Sequence, residues 1–141
     1  MMSKEVAVIN AHRRYRIGKK LVTGYVRRVL KDRKQRNAKL SVIFIDSRYC
    51  RFINKRYLRH DYVTDVISFP LEKGKNLEGE IYVNLDRVRQ QARRYRVSFA
   101  NEIARLVVHG TLHLVGYDDR TTKGASRMKK EENKHIQFWF S

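Results

Sequence analysis

Residues 40–45, with the sequence LSVIFI, form a nearly continuous apolar run, and this run limits the folds open to the chain. Such a run is typical of a strand that is buried on both faces of its sheet. The two faces of such a sheet must pack against other elements, which are commonly helices. A chain of 141 residues can bury about two-thirds of its unfolded surface in one domain. We therefore expect a single α/β domain over residues 1–141.

Short apolar segments and helical periodicities alternate along the rest of the chain. Residues 6–10, 66–69 and 80–83 have the composition of strands, and the glycine-containing segment KGKNLEG can join the last two as a hairpin. Apolar residues recur at helical spacing in three places: Ile17, Leu21, Tyr25 and Val29; Tyr49, Phe52, Ile53 and Tyr57; and Leu85, Val88, Ala92 and Tyr95. Ser98 can cap a fourth helix, and a fifth covers about residues 123–140. The pattern predicts a mixed sheet of about four strands packed with about five helices.

The segment HGTLHLVGYDD carries the clearest chemical pattern in the chain. His109 and His113 are four residues apart, so on a helix their side chains lie one above the other on the same face. Gly116 favours the end of that helix, because glycine adopts the left-handed conformation without a steric penalty. A turn there can bring Asp118 or Asp119 back towards the two imidazoles. Three protein ligands with an open position for water are typical of catalytic zinc.

The same residues also have an explanation without a metal. Two histidines with this spacing are common on helices, and aspartate is favoured in the turn after a helix ends. Leu112 and Leu114 flank the second histidine, which favours a buried imidazole that needs a hydrogen-bond partner. On the residues alone, metal binding and a structural role both stay open.

Three ordered blocks resemble the YbeY family of ribosomal RNA maturation endoribonucleases. HGTLHLVGYDD agrees with ten of the eleven positions of the family signature His-Gly-x-Leu-His-Leu-x-Gly-Tyr-Asp-His, with the two variable positions counted as free. The block NKRYLRHDYVTDVISFP, residues 54–70, is similar to the family's Asn-x-x-Tyr-Arg-x-x-Asp-x-x-Thr-Asp-Val-Leu-Ser-Phe-Pro. GEIYVN, residues 79–84, resembles the family's Gly-Asp/Glu-Ile strand, and the resemblance covers about residues 40–135. Single positions that also match are Glu102, Met128, Glu131 and Glu132.

The resemblance implies a metal site with His109 and His113 as ligands and with Asp119 at the position of the family's third histidine. A carboxylate is an acceptable zinc ligand, so we expect one zinc ion per chain. The carboxylate lowers the charge of the site from about +2 to about +1, which makes bound water less acidic. It also makes the site more tolerant of metals that favour oxygen ligands. Manganese, nickel and magnesium therefore stay compatible with this ligand set.

A second departure from the family pattern is Leu58, where the family has an arginine that acts with the metal site. Arg59 is adjacent, but a shift of one residue on a helix rotates a side chain by about 100°. The resemblance implies Arg59, Glu102 and His109 as catalytic residues, with Arg59 in place of the arginine that is absent at position 58. Glu102 is seven residues before His109, so the two share a helix face. It is a candidate general base or a partner that orients a histidine.

The net charge favours a polyanionic partner. The chain has 32 Lys and Arg against 14 Asp and Glu, a net charge of +18, and residues 1–70 hold most of the excess. Nucleic acid is favoured over a membrane, because the basic clusters lack an apolar face that inserts into lipid. A habit of the whole proteome is the alternative explanation of the charge. With the resemblance, the expected partners are RNA, chiefly ribosomal RNA, and the small ribosomal subunit. The predicted RNA-binding residues are Arg13, Arg27, Arg28, Arg56, Arg59 and Arg93.

Three functions from different classes compete at this point. The first, implied by the resemblance, is a metal-dependent endoribonuclease specific for single strands. It acts in 3′-end processing of small-subunit ribosomal RNA and in ribosome quality control. The second is an RNA-binding ribosome-assembly factor with a structural metal and little catalysis. The third is a metal-dependent hydrolase of another substrate. Gly110 stands where the zinc-peptidase motif His-Glu-x-x-His has its glutamate, which argues against a peptidase.

Cysteine usage and hydropathy indicate the compartment. The single cysteine, Cys50, excludes an internal disulfide and is typical of the reducing cytoplasm. The N-terminal apolar run is too short for a signal peptide, and no segment approaches about 18 consecutive apolar residues. We therefore expect a cytoplasmic protein that does not span a membrane. We also expect a monomer.

Overall fold

The computed structural model describes residues 3–141, and the first two residues of the predicted domain lie outside the described residues. The described residues form four strands and five helices. In chain order these are β1 (Lys4–Asn10), α1 (Lys19–Asp32), β2 (Asn37–Ile45), α2 (Ser47–Tyr57), β3 (Val66–Glu72), β4 (Asn76–Asn84), α3 (Leu85–Tyr95), α4 (Phe99–Leu114) and α5 (Thr122–Phe140). The strands form one sheet of order β1-β2-β4-β3. The predicted α/β class, with a mixed four-stranded sheet and five helices, is confirmed.

The sheet combines parallel and antiparallel pairs. β1 and β4 both run parallel to β2, and at one level Val42 of β2 pairs with Val8 on one side and Ile81 on the other. β3 pairs with β4 in the antiparallel direction, which confirms the predicted hairpin. Both strands extend into the segment KGKNLEG, so the turn is limited to residues 73–75. Within the described part of the chain, no helix is both long and apolar enough to cross a bilayer.

One face of the sheet carries the main core. Leu40, Val42 and Phe44 of β2 point to this face and are fully buried with residues of α1 and α4. Ser41 and Ile43 point to the other face and are only half-buried, because α2 covers just one end of it. The prediction that the apolar run is buried on both faces is therefore wrong for these two residues.

The central helix of the fold is α4, which packs on α1, α3, α5 and two strands. Ser98 caps its first turn, as predicted, by accepting a hydrogen bond from a backbone N–H. Close packing on the sheet depends on Gly110, because a Cβ there would lie 2.7 Å from Ile81 Cγ2 and 3.1 Å from Ser68 Oγ. Just beyond the helix, Gly116 has a φ of 111°, which confirms it as the predicted stop. The packing of α4 thus determines where its histidines lie.

The predicted helices are present, but only part of each apolar stripe that predicted them lies in the core. The residues of these stripes that are exposed are Leu21, Tyr49, Phe52, Tyr57 and Tyr95. Side chains that are buried on α1 and α2 instead include Val22, Val26, Cys50 and Asn54. The prediction used the largest apolar side chains to define each helix stripe. In the structure, smaller side chains on a neighbouring stripe of the same helix are buried instead.

Candidate metal centre

His109 and His113 lie one turn apart on the same face of α4, with their ring centroids 4.8 Å apart. The turn after the helix brings Asp119 back to them. Its Oδ2 is 3.6 Å from His109 Nε2, and its Oδ1 is 3.4 Å from His113 Nε2. One ligand atom from each residue lies within 4.8 Å of the other two. These three residues, which we call the metal triad, offer two imidazole nitrogens and a carboxylate oxygen, a donor set that suits zinc.

The neighbouring carboxylate, Asp118, is engaged elsewhere. It accepts hydrogen bonds from Arg120, at 2.8 Å from Nε and 2.9 Å from the backbone N–H. The Arg120 hydrogen bonds hold the pKa of Asp118 below its ordinary value. Of the two aspartates that the residues alone left open, the structure therefore brings Asp119 to the histidines.

Glu132 of α5 supports His109 from the side away from the triad. His109 Nδ1 lies 2.7 Å from Glu132 Oε2, and Arg105 Nη1 donates to Glu132 Oε1 at 3.3 Å. A proton on Nδ1 leaves the lone pair of Nε2 directed towards the triad. Burial alone would lower the pKa of His109, but the hydrogen bond and charge of Glu132, with the charge of Asp119, outweigh it and raise the pKa. This arrangement of carboxylate and histidine is how proteins commonly orient a metal ligand.

Sequence reasoning gave Glu132 no role beyond a match to the family's C-terminal pattern. Its contact with His109 joins two helices that are separated by a turn, and residue spacing alone does not specify that contact. One general signal was available, because a histidine that binds a metal usually donates its other ring nitrogen to a carboxylate or carbonyl. That rule predicts a partner but does not choose among the 14 acidic residues of the chain.

The turn that carries Asp119 is held by both flanking helices. The backbone N–H of Tyr117 donates to the carbonyl of Leu112 at 3.0 Å, which ties the turn to α4. On the other side, a Cβ at Gly124 would overlap the carbonyl oxygen of Asp118. The first turn of α5 therefore lies directly against the turn, and Asp119 has little freedom to leave the histidines.

The metal triad lies between two clefts. The helix cleft, of about 580 Å³, is bounded by α3, α4 and α5. The hairpin cleft, of about 550 Å³, is bounded by the loop before β3, the β3–β4 hairpin and the turn after α4. His109, Asp119 and Asp65 line both clefts. The helix cleft is acidic on balance, with Asp65, Glu102, Asp119 and Glu132 against Arg105 and Lys129.

Glu102 lies in the first turn of α4, and its side chain is buried in the wall of the helix cleft. Its Oε2 accepts a hydrogen bond of 2.7 Å from Gln91 Nε2. Burial raises the pKa of Glu102, and the hydrogen bond from Gln91 offsets this only in part. The structure thus brings Glu102 and His109 to one cleft, and the catalytic role of Glu102 stays a prediction.

Two buried amides hold the loop before β3, which carries Asp65 into the lining of both clefts. Asn54 Nδ2 donates to the carbonyl of Tyr62 at 3.0 Å and to Thr64 Oγ1 at 3.2 Å. Asn84 Nδ2 donates to the carbonyl of Thr64 at 3.1 Å. Both asparagines belong to blocks that resemble the family. Part of that resemblance therefore reflects the support of a loop at the site.

The arginines predicted to bind RNA do not converge on the metal triad. Among the described residues that line the two clefts, none is Arg13, Arg27, Arg28, Arg56, Arg59 or Arg93. Arg28 instead places its guanidinium carbon 3.4 Å from the centroid of the Phe138 ring. The idea that Arg59 lies on a helix is wrong, because α2 ends before it and its φ is 57°. The cationic residues that do line the clefts are Lys73, Arg105, Arg120 and Lys129.

Comparison with known proteins identifies the family. The model of the family described as Endoribonuclease YbeY matches residues 7–139, nearly the whole chain. The chain belongs to the YbeY family of endoribonucleases. A YbeY endoribonuclease of Chlorobium luteolum is 42% identical over 101 residues, which is 72% of this chain and 74% of the relative. Another, from Chlorobaculum tepidum, is 35% identical over 120 residues, or 85% of this chain and 88% of the relative.

A solved structure agrees with this placement in the YbeY family. The solution structure of a protein from Thermotoga maritima matches with a TM-score of 0.68 and 26% sequence identity. The match covers 94% of this chain and 87% of the other. The predicted family and the expectation of a hydrolytic nuclease are confirmed. Within the YbeY pattern, this chain is set apart by Asp119 and Leu58.

Proposed function

We propose that this chain is a metal-dependent endoribonuclease specific for single-stranded RNA. Its role would be in ribosomal RNA processing at the 3′ end of the small-subunit RNA, and in ribosome quality control. The observation that carries the proposal is the metal triad, with Glu132 hydrogen-bonded to the far nitrogen of His109. Membership in the YbeY family supports the reaction class and the ribosomal context. The net charge of +18 supports a polyanionic substrate.

In this proposal His109, His113 and Asp119 hold one zinc ion, and manganese, nickel and magnesium stay as alternatives. When bound, the ion supplies Lewis-acid polarisation of a water or of a phosphate oxygen. Glu132 keeps His109 in the tautomer that binds. Glu102, whose pKa is raised by burial, is placed to hold or accept a proton in the helix cleft. Arg59 and the other predicted arginines contact phosphates away from the triad.

A second candidate is an RNA-binding ribosome-assembly factor whose metal is structural. Leu58 favours it, because the family has an arginine at that position. The placement of Arg59 favours it as well, because this residue is not among the described residues that line the two clefts. The two candidates differ in one property, since the first cleaves RNA with the help of the metal and the second does not.

Cleavage of an RNA with both paired and single-stranded segments separates the two candidates. We expect wild-type protein to cut the single-stranded segments, to stop when a chelator removes the metal, and to resume when zinc is restored. Asp119→Asn should lower the cleavage rate by about 100-fold or more, because a metal ligand contributes at least as much as the residues that orient it. Asp118→Asn is the matched control and should retain most of the activity, because Asp118 pairs with Arg120.

Two outcomes would contradict the proposal. If Asp118→Asn and Asp119→Asn lower the rate equally, the metal triad is not the site of cleavage. If the wild-type protein binds RNA in a strongly salt-dependent way but makes no metal-dependent cut, the assembly-factor candidate is favoured.

The remaining parts of the proposal concern the cell. We propose a monomer that acts in the cytoplasm on the small ribosomal subunit. Size-exclusion chromatography with light scattering tests the monomer, and co-sedimentation with isolated small subunits tests the partner. A mass twice that of the chain, or no co-sedimentation at low salt, would contradict the respective part.

A further inference from the structure

A third concave surface adjoins the hairpin cleft on the side away from the helix cleft. The loop between α1 and β2, the turn of the β3–β4 hairpin and the end of α4 enclose this hairpin groove, which has a volume of about 780 Å³. Its cationic side chains are Lys34, Arg36, Lys73 and Lys75. Of the described residues that line it, none is acidic and none is aromatic. The hairpin groove is therefore strongly basic.

The walls of the hairpin groove are tied to each other. Gln35 Nε2, from the α1–β2 loop, donates to the carbonyls of Gly74 and Lys75 in the hairpin turn, at 2.9 Å and 3.2 Å. Asn37 Nδ2 donates to Asn76 Oδ1 across the same gap. A groove whose walls are already fixed loses less conformational entropy on binding a ligand than a groove with flexible walls.

The basic side chains of the groove are available to a ligand. All four are exposed. Among the ion pairs of residues 3–141, none involves Lys34, Arg36, Lys73 or Lys75. Their charge is therefore not neutralised by acidic side chains of the same chain, and it creates a positive potential over the groove.

The hairpin groove adjoins the hairpin cleft, which contains the metal triad. Lys73, Leu114 and Gly116 line both the groove and the hairpin cleft, and the hairpin cleft contains all three triad residues. On the opposite side of the triad, the helix cleft contains Glu102 and Glu132 and repels an anion. The hairpin cleft is less acidic, because it has three acidic side chains against the basic Lys73 and Arg120, and one of the three, Asp118, is paired with Arg120. A polyanion that reaches the triad is therefore favoured on the side of the hairpin.

We propose that the hairpin groove binds the phosphodiester backbone of the RNA segment that adjoins the cleaved bond, and this inference rests on the proposed function. Lysine and arginine side chains bind phosphates, and a groove without aromatic side chains offers no platform for base stacking. Binding in the groove is therefore independent of base sequence. Single-stranded RNA enters more easily than a duplex, because only a flexible strand can bend from the triad into the groove.

The test compares two double variants that remove the same charge. Lys73→Ala/Lys75→Ala changes the groove, and Lys19→Ala/Lys20→Ala changes two exposed lysines at the opposite end of α1. Each protein, loaded with zinc, is titrated with a labelled 2′-O-methyl RNA single strand from about 50 to 200 mM KCl. The RNA is checked on a gel after each titration, and circular dichroism checks that both variants are folded.

We expect the groove variant to bind the RNA more weakly than wild type. Its plot of log Kd against log salt concentration should also be less steep, because each lost phosphate contact lowers the slope by about 0.7, or about 1.4 for two contacts. The Lys19/Lys20 control should keep the wild-type slope. If wild type binds RNA and the two variants have equal slopes of log Kd against log salt concentration, the proposal that the groove binds RNA is wrong. The proposed function would still stand. A wild-type protein that neither binds nor cleaves RNA would overturn both.

Discussion

Two carboxylates with different tasks surround His109. Asp119 faces Nε2 at 3.6 Å and adds a negative charge where a YbeY histidine would be neutral. Glu132 Oε2 lies 2.7 Å from Nδ1 and favours a proton on that nitrogen. In the proposed metal centre, the first carboxylate would change the charge of the site, and the second would change the orientation and basicity of His109 as a ligand. Substitutions at the two positions should therefore have distinguishable effects.

Glu132→Gln tests the orienting role. The variant keeps the length of the side chain but loses the charge that favours a protonated Nδ1. We expect the affinity for zinc, measured by competition with a chromophoric chelator, to fall by about 10- to 100-fold. Glu131→Gln is the control, because Glu131 lies next along the helix and contacts Tyr117 instead. Equal affinities of the two variants would contradict an orienting role for Glu132.

At the scale of elements, signals that are local in sequence predicted the structure best. The strands of the β3–β4 hairpin, the cap at Ser98 and the stop at Gly116 each depend on a few adjacent residues. The buried stripe of α2 was predicted only at Ile53. Cys50 and Asn54 were missed, because they are buried by a loop and a sheet end that come later in the chain. Helical spacing gives a period, and the choice of stripe requires the neighbouring elements.

In the candidate site, too, the local sequence predicted some features, and others required the folded structure. The spacing of His109 and His113 was sufficient to predict a shared helix face. The choice of Asp119 needed the family resemblance or the structure, since Asp118 has the same chemistry. The predicted RNA-binding arginines cluster along the chain but not around the triad. The lysines of the hairpin groove come from two loops that are distant in sequence, so no single cluster could reveal them.

The contact of α4 with the sheet provides a prediction with a definite sign. In an exposed helix, Gly→Ala stabilises by about 1 kcal/mol. At Gly110 the new methyl would lie 2.7 Å from Ile81 Cγ2, and overpacking of a core costs about 1–3 kcal/mol. We therefore expect Gly110→Ala to lower the free energy of unfolding, by about 1 kcal/mol net. Urea denaturation measures this, and a variant as stable as wild type would contradict the close approach.

At the scale of the whole molecule, charge is distributed unevenly around the metal triad. The chain has a net charge of +18, yet the helix cleft is acidic and the hairpin groove is basic. Such a contrast in charge favours one orientation of a bound polyanion and also increases its affinity. Far from the triad, the packing of α5 near α1 buries His135, whose ring nitrogens have no hydrogen-bond partner among the described residues.

His135 makes the stability of the whole fold depend on pH. Burial lowers the pKa of His135, and the charge of Asp32, whose Oδ2 is 3.9 Å from Nε2, opposes this only in part. The unfolded chain takes up a proton near the ordinary pKa of 6.5, whereas the folded chain does so only at lower pH. The free energy of unfolding contributed by neutral His135 is therefore present above pH 6.5 and is lost as the pH falls below it.

A comparison with His135→Gln isolates this effect, because every other titratable residue is common to both proteins. Urea denaturation at pH values above and below 6.5 should show a larger loss of stability on acidification for wild type than for the variant. The same loss in both proteins would show that His135 does not contribute to the acid sensitivity.

The metal content of the purified protein tests the central claim most directly. We expect wild-type chain and Asp119→His to bind one zinc ion per chain, because histidine restores the ligand found in the family. Asp119→Ala removes one of three ligands and should lose the ion during dialysis against a weak chelator. One tightly bound ion per chain in Asp119→Ala, or none in wild type, would contradict a metal centre formed by His109, His113 and Asp119.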